Sequence, residues 1–273
     1  MRFKNRQLDL SVPHVMGILN VTPDSFSDGG RFMEVDTAFS QACQMVDEGA
    51  AIIDIGGEST RPGAAAVDVQ MELDRVVPMI ERISNVLDVI ISIDTCKAVV
   101  MQHALKAGAH MINDVTGLRG EGALAMVAKQ QVPVCVMHMK GEPRTMQAAP
   151  HYENVVEDVK DFLVGRKQAC LDAGIREDQI ILDPGFGFGK TVQHNLEIIK
   201  GLPILVGLNM PVLLGVSRKS TIGAILDRPV EERLAGSLAL VASAVNSGVK
   251  IIRAHDVQAT LDVMNITFAI NNS

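Results

Sequence analysis

The chain has 273 residues, 47% of them hydrophobic, which is close to the roughly 250 residues of one α/β barrel. Its formal net charge of -7 argues against nucleic-acid binding, and no uncharged run approaches the ~20 residues of a membrane span. Residues 1–13 lack the apolar core of a signal peptide. The four cysteines lie far apart, without a CxxC pair, which favours reduced thiols and a cytoplasmic location.

The chain begins with a weakly alternating segment, and eight short apolar runs follow it. Residues 2–10 predict a short strand or hairpin, which we expect to close the bottom of a barrel. Nearly continuous apolar content is typical of parallel strands that are buried on both faces. The predicted strands are His14–Val21, Ala51–Ile55, Val89–Asp94, Met111–Val115, Val132–Met137, Ile180–Asp183, Pro211–Val216 and Lys250–Ala254.

Helical spacing separates these runs, and several helices end in glycine just before the next strand. Gly tolerates the left-handed conformation that stops a helix. The glycines in question are Gly49, Gly108, Gly174 and Gly248. The alternation predicts one domain over residues 1–273, a single (β/α)8 TIM barrel. A doubly wound open sheet is the alternative, but eight units and the lack of Gly-x-Gly-x-x-Gly after the first strand count against it.

Each predicted strand ends in a polar or charged residue, and in a barrel these ends converge on the face that carries active sites. The strand-end residues are Asn20, Asp54, Asp94, Asn113, His138, Asp183, Ser217 with Lys219, and Arg253 with His255. Two long polar loops follow the first two strands, NVTPDSFSDGGR at 20–31 and GGESTRPG at 56–63. Surface turns would explain their composition, but their length and placement favour loops that cover a substrate.

Together with DPGFGFGK (183–190), GVSRKS (215–220) and IIRAHD (251–256), these loops resemble the dihydropteroate synthase family. The resemblance extends from about residue 14 to 265. It implies a (β/α)8 barrel enzyme that joins a pterin, carried as its diphosphate, to p-aminobenzoate in folate synthesis. It further implies Mg²⁺ as cofactor, a homodimer, and inhibition by sulfonamides, which mimic p-aminobenzoate in this family.

The resemblance also implies which part of the substrates each candidate residue contacts. The residues implied for the pterin ring are Asp94, Asn113, Met137, Asp183 and Lys219. Those implied for the diphosphate are Thr60, Arg61, Arg253 and His255. Those implied for p-aminobenzoate are Phe26, Thr60, Pro62, Phe188 and Ser220. Mg²⁺ is implied at Asn20, and the expected catalytic residues are Lys219, Arg253 and His255.

The residue types agree with these roles, although each has a simpler alternative. A guanidinium suits phosphate oxygens, and Arg253 ends the last strand, where barrels often bind phosphate; its alternative is a salt bridge with Asp256. A carboxamide oxygen suits a hard cation, whereas a lone Asn such as Asn20 is often a turn residue. The aspartates could form a structural network, Met137 could be core, and Ser220 could cap a helix. We expect Asp54 to orient Asp94 or Asn20, and we assign no role to His138.

Two other functions are alternatives to a dihydropteroate synthase. A methyltetrahydrofolate-binding corrinoid methyltransferase barrel would not need the second loop or the Arg253 and His255 pair. A non-catalytic pterin-binding barrel is the other alternative.

GFGFGKT (185–191) is similar to a nucleotide P-loop, but the spacing between its glycines is one residue short. We therefore interpret it as a turn that supports the pterin site.

Overall fold

The computed structural model describes residues 1–22, 31–59, 66–141, 146–147 and 149–273, with residues 31–34 described by their backbone alone. The strands are β1 (Arg2–Phe3), β2 (Arg6–Gln7), β3 (His14–Asn20), β4 (Ile52–Gly56), β5 (Ile90–Asp94), β6 (Met111–Asp114), β7 (Val134–Met137), β8 (Ile180–Asp183), β9 (Leu213–Gly215) and β10 (Ile251–Ala254). The helices are α1 (Arg31–Asp47), α2 (Val69–Val86), α3 (Ala98–Ala107), α4 (Ala123–Gln130), α5 (Val155–Asp172), α6 (Val192–Val206), α7 (Ser220–Leu226), α8 (Leu234–Asn246) and α9 (Val257–Asn271).

Strands β3 to β10 form one parallel sheet in the order β8-β7-β6-β5-β4-β3-β10-β9. A parallel bridge between Leu182 and Val212 joins its two outer strands, so that the sheet closes. The predicted (β/α)8 barrel is therefore confirmed. Each observed barrel strand overlaps its predicted run, because strands covered by helices on one face and by the barrel interior on the other remain apolar on both faces.

The N-terminal segment forms the predicted hairpin, with Phe3 paired to Arg6 in antiparallel register. The Phe3 side chain is fully buried in an apolar cluster at the lower ends of the strands, together with residues such as Met16, Ile90 and Ile251. The hairpin therefore closes the bottom of the barrel, as the sequence predicts, and leaves the opposite end as the open mouth.

The helices pack their apolar faces against the outside of the barrel, where most of the buried aliphatic residues lie. The predicted glycine stops are confirmed, since Gly108 and Gly248, for example, have φ values of +125° and +92°. At the mouth, Thr191 caps α6 by accepting a hydrogen bond from the backbone N–H of His194. None of the helices in the described part of the chain combines the length and apolar character needed to cross a bilayer.

Candidate functional site

A cavity opens at the mouth of the barrel, at the carboxyl ends of the strands. Strands β5 to β10 and the turn after β8 contribute its walls. The lining residues are Asp94, Asn113, Val115, Met137, Asp183, Gly185, Phe186, Phe188, Gly215, Lys219 and Arg253. Seven of the predicted site residues therefore line one cavity: Asp94, Asn113, Met137, Asp183, Phe188, Lys219 and Arg253.

An ion-pair network forms the floor of this cavity. Arg253 donates from Nε to Asp54 Oδ2 at 2.6 Å and from Nη2 to Asp94 Oδ2 at 2.9 Å. Asn113 donates from Nδ2 to the same Asp54 oxygen at 3.0 Å. Asp54 is completely buried, and a buried carboxylate needs such partners to remain charged.

The network bears on two sequence-based expectations. The alternative that Arg253 pairs with Asp256 is wrong, because Asp256 accepts from Arg218 and Arg253 points into the barrel. The expectation that Asp54 orients Asp94 or Asn20 stays a prediction. Asp54 reaches Asp94 only through Arg253, and its direct partners are Arg253 and Asn113.

One acceptor atom at the cavity is buried without a partner among the described residues. Asp94 Oδ1 is buried and unpartnered there. Asp183 accepts from the backbone N–H of Gly185 with Oδ1 at 2.7 Å, which leaves Oδ2 available. An unpaired buried acceptor is costly unless a ligand satisfies it, so this arrangement suits a ligand that presents several N–H donors.

Burial shifts the protonation of both cavity carboxylates. Loss of solvation raises the pKa of Asp94, while the charge of Arg253 beside it acts in the opposite direction. Burial also raises the pKa of Asp183 to about 6, opposed by the Gly185 hydrogen bond and by Lys219. Asp183 is therefore mostly ionised at neutral pH, but a modest fall in pH would protonate it.

Lys219 approaches the cavity from the turn before α7. Its Nζ lies 4.1 Å from the centre of the Phe188 ring, a cation–π contact. Burial, and then the charge of Arg253, lower the pKa of Lys219 to about 8. The ammonium form of Lys219 therefore predominates at neutral pH, but a modest rise in pH would deprotonate it.

The glycine-rich turn between β8 and α6 is held by polar side chains. Lys190 donates to the carbonyls of Gly185 and Phe188 at 2.9 and 3.1 Å. Asn195 Oδ1 accepts from the N–H of Gly187 at 2.7 Å, and the Tyr152 hydroxyl donates to the Gly189 carbonyl at 2.7 Å. The prediction of a supporting turn in place of a P-loop agrees with this arrangement.

Three predicted residues lie near the cavity without lining it. Asn20 faces Asp94 across Gly56, since a Cβ on that glycine would lie 3.7 Å from Asn20 Oδ1 and 3.9 Å from Asp94 Oδ2. His255 Nδ1 lies 3.0 Å from Ser217 Oγ. Ser220 opens α7 and is exposed, while Lys219 occupies the capping position.

The remaining predicted residues lie outside the described part of the chain. They are Phe26, Thr60, Arg61 and Pro62. Within the described residues there is no cluster of three or more His, Cys, Asp and Glu side chains that could hold a metal ion.

Sequence reasoning missed Lys190, Asn195 and the role of Asp54 at this site. Lys190 follows the glycine-rich segment directly, and that segment was a signal that could have identified it. Asn195 lies one helical turn beyond, inside α6, and links the turn to Thr221 through a 2.9 Å hydrogen bond. No local pattern distinguishes such an Asn from a surface residue.

Known proteins share both the sequence and the fold of this chain. The family described as "Pterin binding enzyme" matches residues 16–255. The dihydropteroate synthase of Haemophilus influenzae is 53% identical over 269 residues, which are 98% of each chain. A crystal structure of the Yersinia pestis dihydropteroate synthase in complex with a sulfonamide drug has a TM-score of 0.96 at 47% identity, covering 100% of this chain and 99% of that one. The Xanthomonas albilineans enzyme with 4-aminobenzoic acid has a TM-score of 0.92 at 48% identity, covering 97% and 96%.

Proposed function

The chain belongs to the dihydropteroate synthases, which are pterin-methyl transferases, and on that premise we propose that the mouth cavity binds the pterin ring of a dihydropterin diphosphate. The observation that supports this proposal most strongly is that Asp94, Asn113 and Asp183 line one cavity together with Lys219 and Arg253. An aminopyrimidinone ring presents paired N–H donors and a carbonyl, which these groups match.

Each polar residue has an atom suited to the ring. Asp94 Oδ1 and Asp183 Oδ2 would accept N–H bonds from the pterin. Asn113 uses its Nδ2 for Asp54, so its Oδ1 is the atom that faces a ligand donor. Lys219 would bind the ring carbonyl, and Met137 would pack on the ring face.

We propose that Arg253 and His255 bind the diphosphate. Two of the guanidinium nitrogens of Arg253 donate to carboxylates, while Nη1 has no hydrogen bond to a described residue and can donate to a phosphate oxygen. His255 lies two residues further, where β10 has ended. Thr60 and Arg61 of the second loop complete this group.

Mg²⁺ would be held by Asn20 together with the diphosphate. The carboxamide oxygen of Asn20 lies at the end of β3, near Asp94. A single hard oxygen ligand suits Mg²⁺, which keeps several waters and is commonly bound through substrate phosphates. When bound, the ion would neutralise charge on the diphosphate oxygens.

We propose that p-aminobenzoate binds on the outer side of the pterin, next to Phe188 and Ser220. The Phe188 ring is fixed over Lys219 and offers a face for an aromatic ring. Ser220 opens a helix, whose first N–H groups suit a carboxylate. Phe26, Thr60 and Pro62 would supply the loop contacts.

The proposed reaction has two stages, departure of the diphosphate and attack of the amine on the cation that remains. The bond between the exocyclic methylene and the diphosphate oxygen breaks, and both electrons leave with the diphosphate. Asp94 and Asp183 stabilise the resulting cation, which is delocalised into the pterin ring, while Arg253 and His255 stabilise the departing anion. The amine of p-aminobenzoate then forms the new C–N bond and loses a proton. Positioning of the two substrates supplies the rest of the acceleration.

A direct assay tests the activity. Purified protein is incubated with the dihydropterin diphosphate, p-aminobenzoate and Mg²⁺, and release of diphosphate and formation of dihydropteroate are measured. Reactions without the amine and without Mg²⁺ are the controls. Absence of dihydropteroate would contradict the proposal and favour a non-catalytic pterin-binding barrel, whereas methyl transfer from methyltetrahydrofolate to a corrinoid would favour the rival methyltransferase.

We propose that the protein forms a homodimer through α7, α8 and α9. Ala235, Ala239 and Ser243 recur every four residues on α8, and because Ala235 and Ala239 are exposed, internal packing does not explain this spacing. Large apolar side chains are exposed on the neighbouring helices, namely Ile225, Leu226, Ile266 and Ile270. Such a patch is typical of an interaction surface.

The oligomeric state can be measured by light scattering after size-exclusion chromatography. Ala239→Arg should convert the dimer to a monomer, while Val164→Arg, at an exposed position on α5, should leave it dimeric. A monomeric wild-type protein would contradict the proposal.

We also propose that the protein works in the cytoplasm. All four cysteines are free, and Cys135 and Cys170 are buried, as is common in a reducing compartment. Fractionation of cells, with detection by antibody, tests the location.

A further inference from the structure

Lys190 is a buried lysine whose hydrogen bonds to the described residues include none to a carboxylate, and burial lowers the pKa of its ammonium group to about 7. Its side chain is only 3% exposed. Its three N–H donors meet three acceptors: the carbonyls of Gly185 and Phe188 and, at 2.9 Å, Nδ1 of His138. A buried ammonium is stable only when its donors are satisfied in this way.

His138 is suited to be the third acceptor. It is buried, and burial followed by the charge of Lys190 lowers the pKa of His138 to about 2. The imidazole is therefore neutral, so its Nδ1 can accept from the ammonium. Its ring packs edge-on against Phe162 with centroids 4.9 Å apart, which fixes its orientation.

The two carbonyls that Lys190 binds belong to residues that line the cavity. Gly185 donates its N–H to Asp183 Oδ1, and Phe188 lies over the Lys219 ammonium. Gly185 itself is pressed against the backbone of His138, where a Cβ would lie 1.8 Å from the carbonyl oxygen. Lys190 thus joins the start and the end of the turn, and it does not line the cavity itself.

We propose that Lys190, together with His138, is a positioning residue for both substrates: by binding the Gly185 and Phe188 carbonyls it holds Asp183 for the pterin and the Phe188 ring for p-aminobenzoate. Lys190 itself touches neither ligand. This inference rests on the proposed function, because it assigns the pterin to Asp183 and p-aminobenzoate to Phe188.

The test compares Lys190→Met with Lys200→Met, a matched change at an exposed lysine of α6. Binding of the dihydropterin diphosphate with Mg²⁺ is measured by calorimetry, and steady-state kinetics give kcat and the KM for p-aminobenzoate. Lys190→Met should weaken pterin binding and raise this KM each by about tenfold, with a smaller fall in kcat. Lys200→Met should match the wild type.

His138 variants keep the inference testable if Lys190→Met does not fold. His138→Leu removes the acceptor and should shift both constants in the same direction. His138→Asn places an amide oxygen near the Nδ1 position and should restore them. The double variant Lys190→Met, His138→Leu should be no worse than Lys190→Met, because both act through one network.

Two failures can be told apart. If wild-type protein does not bind the dihydropterin diphosphate, the proposed function fails and this inference fails with it. If wild-type protein binds and the Lys190 and His138 variants bind both ligands equally well, with only a lower melting temperature, Lys190 merely stabilises the fold and the inference alone is overturned.

Discussion

Arg253 and Asp54 form an ion pair inside the barrel, with 2.6 Å between Nε and Oδ2. Asp54 is fully buried and the Arg253 side chain is 20% exposed. Asp94 accepts from Nη2 of the same guanidinium. The pair therefore fixes one cation between two carboxylates and orients the face of Arg253 that remains for a ligand.

Removal of Asp54 should destabilise the protein and disorder the cavity floor. Asp54→Ala leaves Arg253 with only one carboxylate and removes the acceptor of Asn113, so we expect a loss of about 3 kcal/mol in the free energy of unfolding. Urea denaturation measures this change. Asp178→Ala, which breaks an exposed ion pair with Arg176, should change it little. Equal unfolding free energies for the two variants would contradict the role given to Asp54.

Replacement of Asp183 should weaken pterin binding without loss of the fold. Asp183→Asn retains an oxygen for the Gly185 N–H but removes the negative charge that a pterin N–H would meet. A hydrogen bond to a charged group contributes about 1.5–3 kcal/mol, so the dissociation constant should rise about 10–100-fold. Calorimetry measures the affinity and circular dichroism the fold; wild-type affinity would exclude Asp183 from the site.

The pH profile of kcat/KM should be bell-shaped. Asp183, with its pKa raised to about 6, is ionised above that pH, so activity should be lost as the pH falls through 6. Lys219, with its pKa lowered to about 8, is charged below that pH, so activity should be lost as the pH rises through 8. Burial also raises the pKa of Asp94, so Asp94 contributes to the same limb. Asp183→Asn should therefore change the acidic limb to one that Asp94 alone sets, and an unchanged limb in this variant would contradict the role of Asp183.

Arg253 should distinguish ligands by their diphosphate. Arg253→Met should weaken binding of the dihydropterin diphosphate far more than binding of the corresponding hydroxymethyl pterin, which lacks the phosphates. Because Asp54 and Asp94 lose their cation, binding is best measured well below the melting temperature. Equal losses for both ligands would indicate that Arg253 acts only through the carboxylates.

Asn20 should set the requirement for Mg²⁺. Asn20→Ala removes the proposed oxygen ligand, so the Mg²⁺ concentration for half-maximal turnover should rise several-fold, while saturating Mg²⁺ should recover part of the rate. A chelator should abolish turnover of the wild type. An unchanged Mg²⁺ dependence in the variant would place the ion elsewhere.

The barrel was predictable because its signal is local. Each strand buries both faces, so its apolar run is legible without knowledge of its neighbours, and residues such as Asp94 and Asp183 interrupt those runs where the strands end. The cavity followed from topology, since parallel strands bring their carboxyl ends to one face. The roles of the site residues came from the resemblance and remain predictions.

The partners of Arg253 were not predictable in the same way. Asp256 is three residues away in sequence, whereas Asp54 is 199 residues away, and only the pairing of β3 with both β4 and β10 brings these two residues together. Likewise, Lys190 follows a turn whose spacing excluded a P-loop, and nothing in that spacing pairs it with His138.

By itself the sequence determined the eight-unit barrel, its closed bottom and the polar residues at its mouth, because periodicity and strand ends depend on neighbours along the chain. Only the tertiary structure decided that Arg253 lies between Asp54 and Asp94 and that Lys190 holds the turn below Phe188. These contacts depend on which buried charges and donors come within hydrogen-bonding distance in the folded barrel. They form because burial of a charged or polar group without a partner costs free energy.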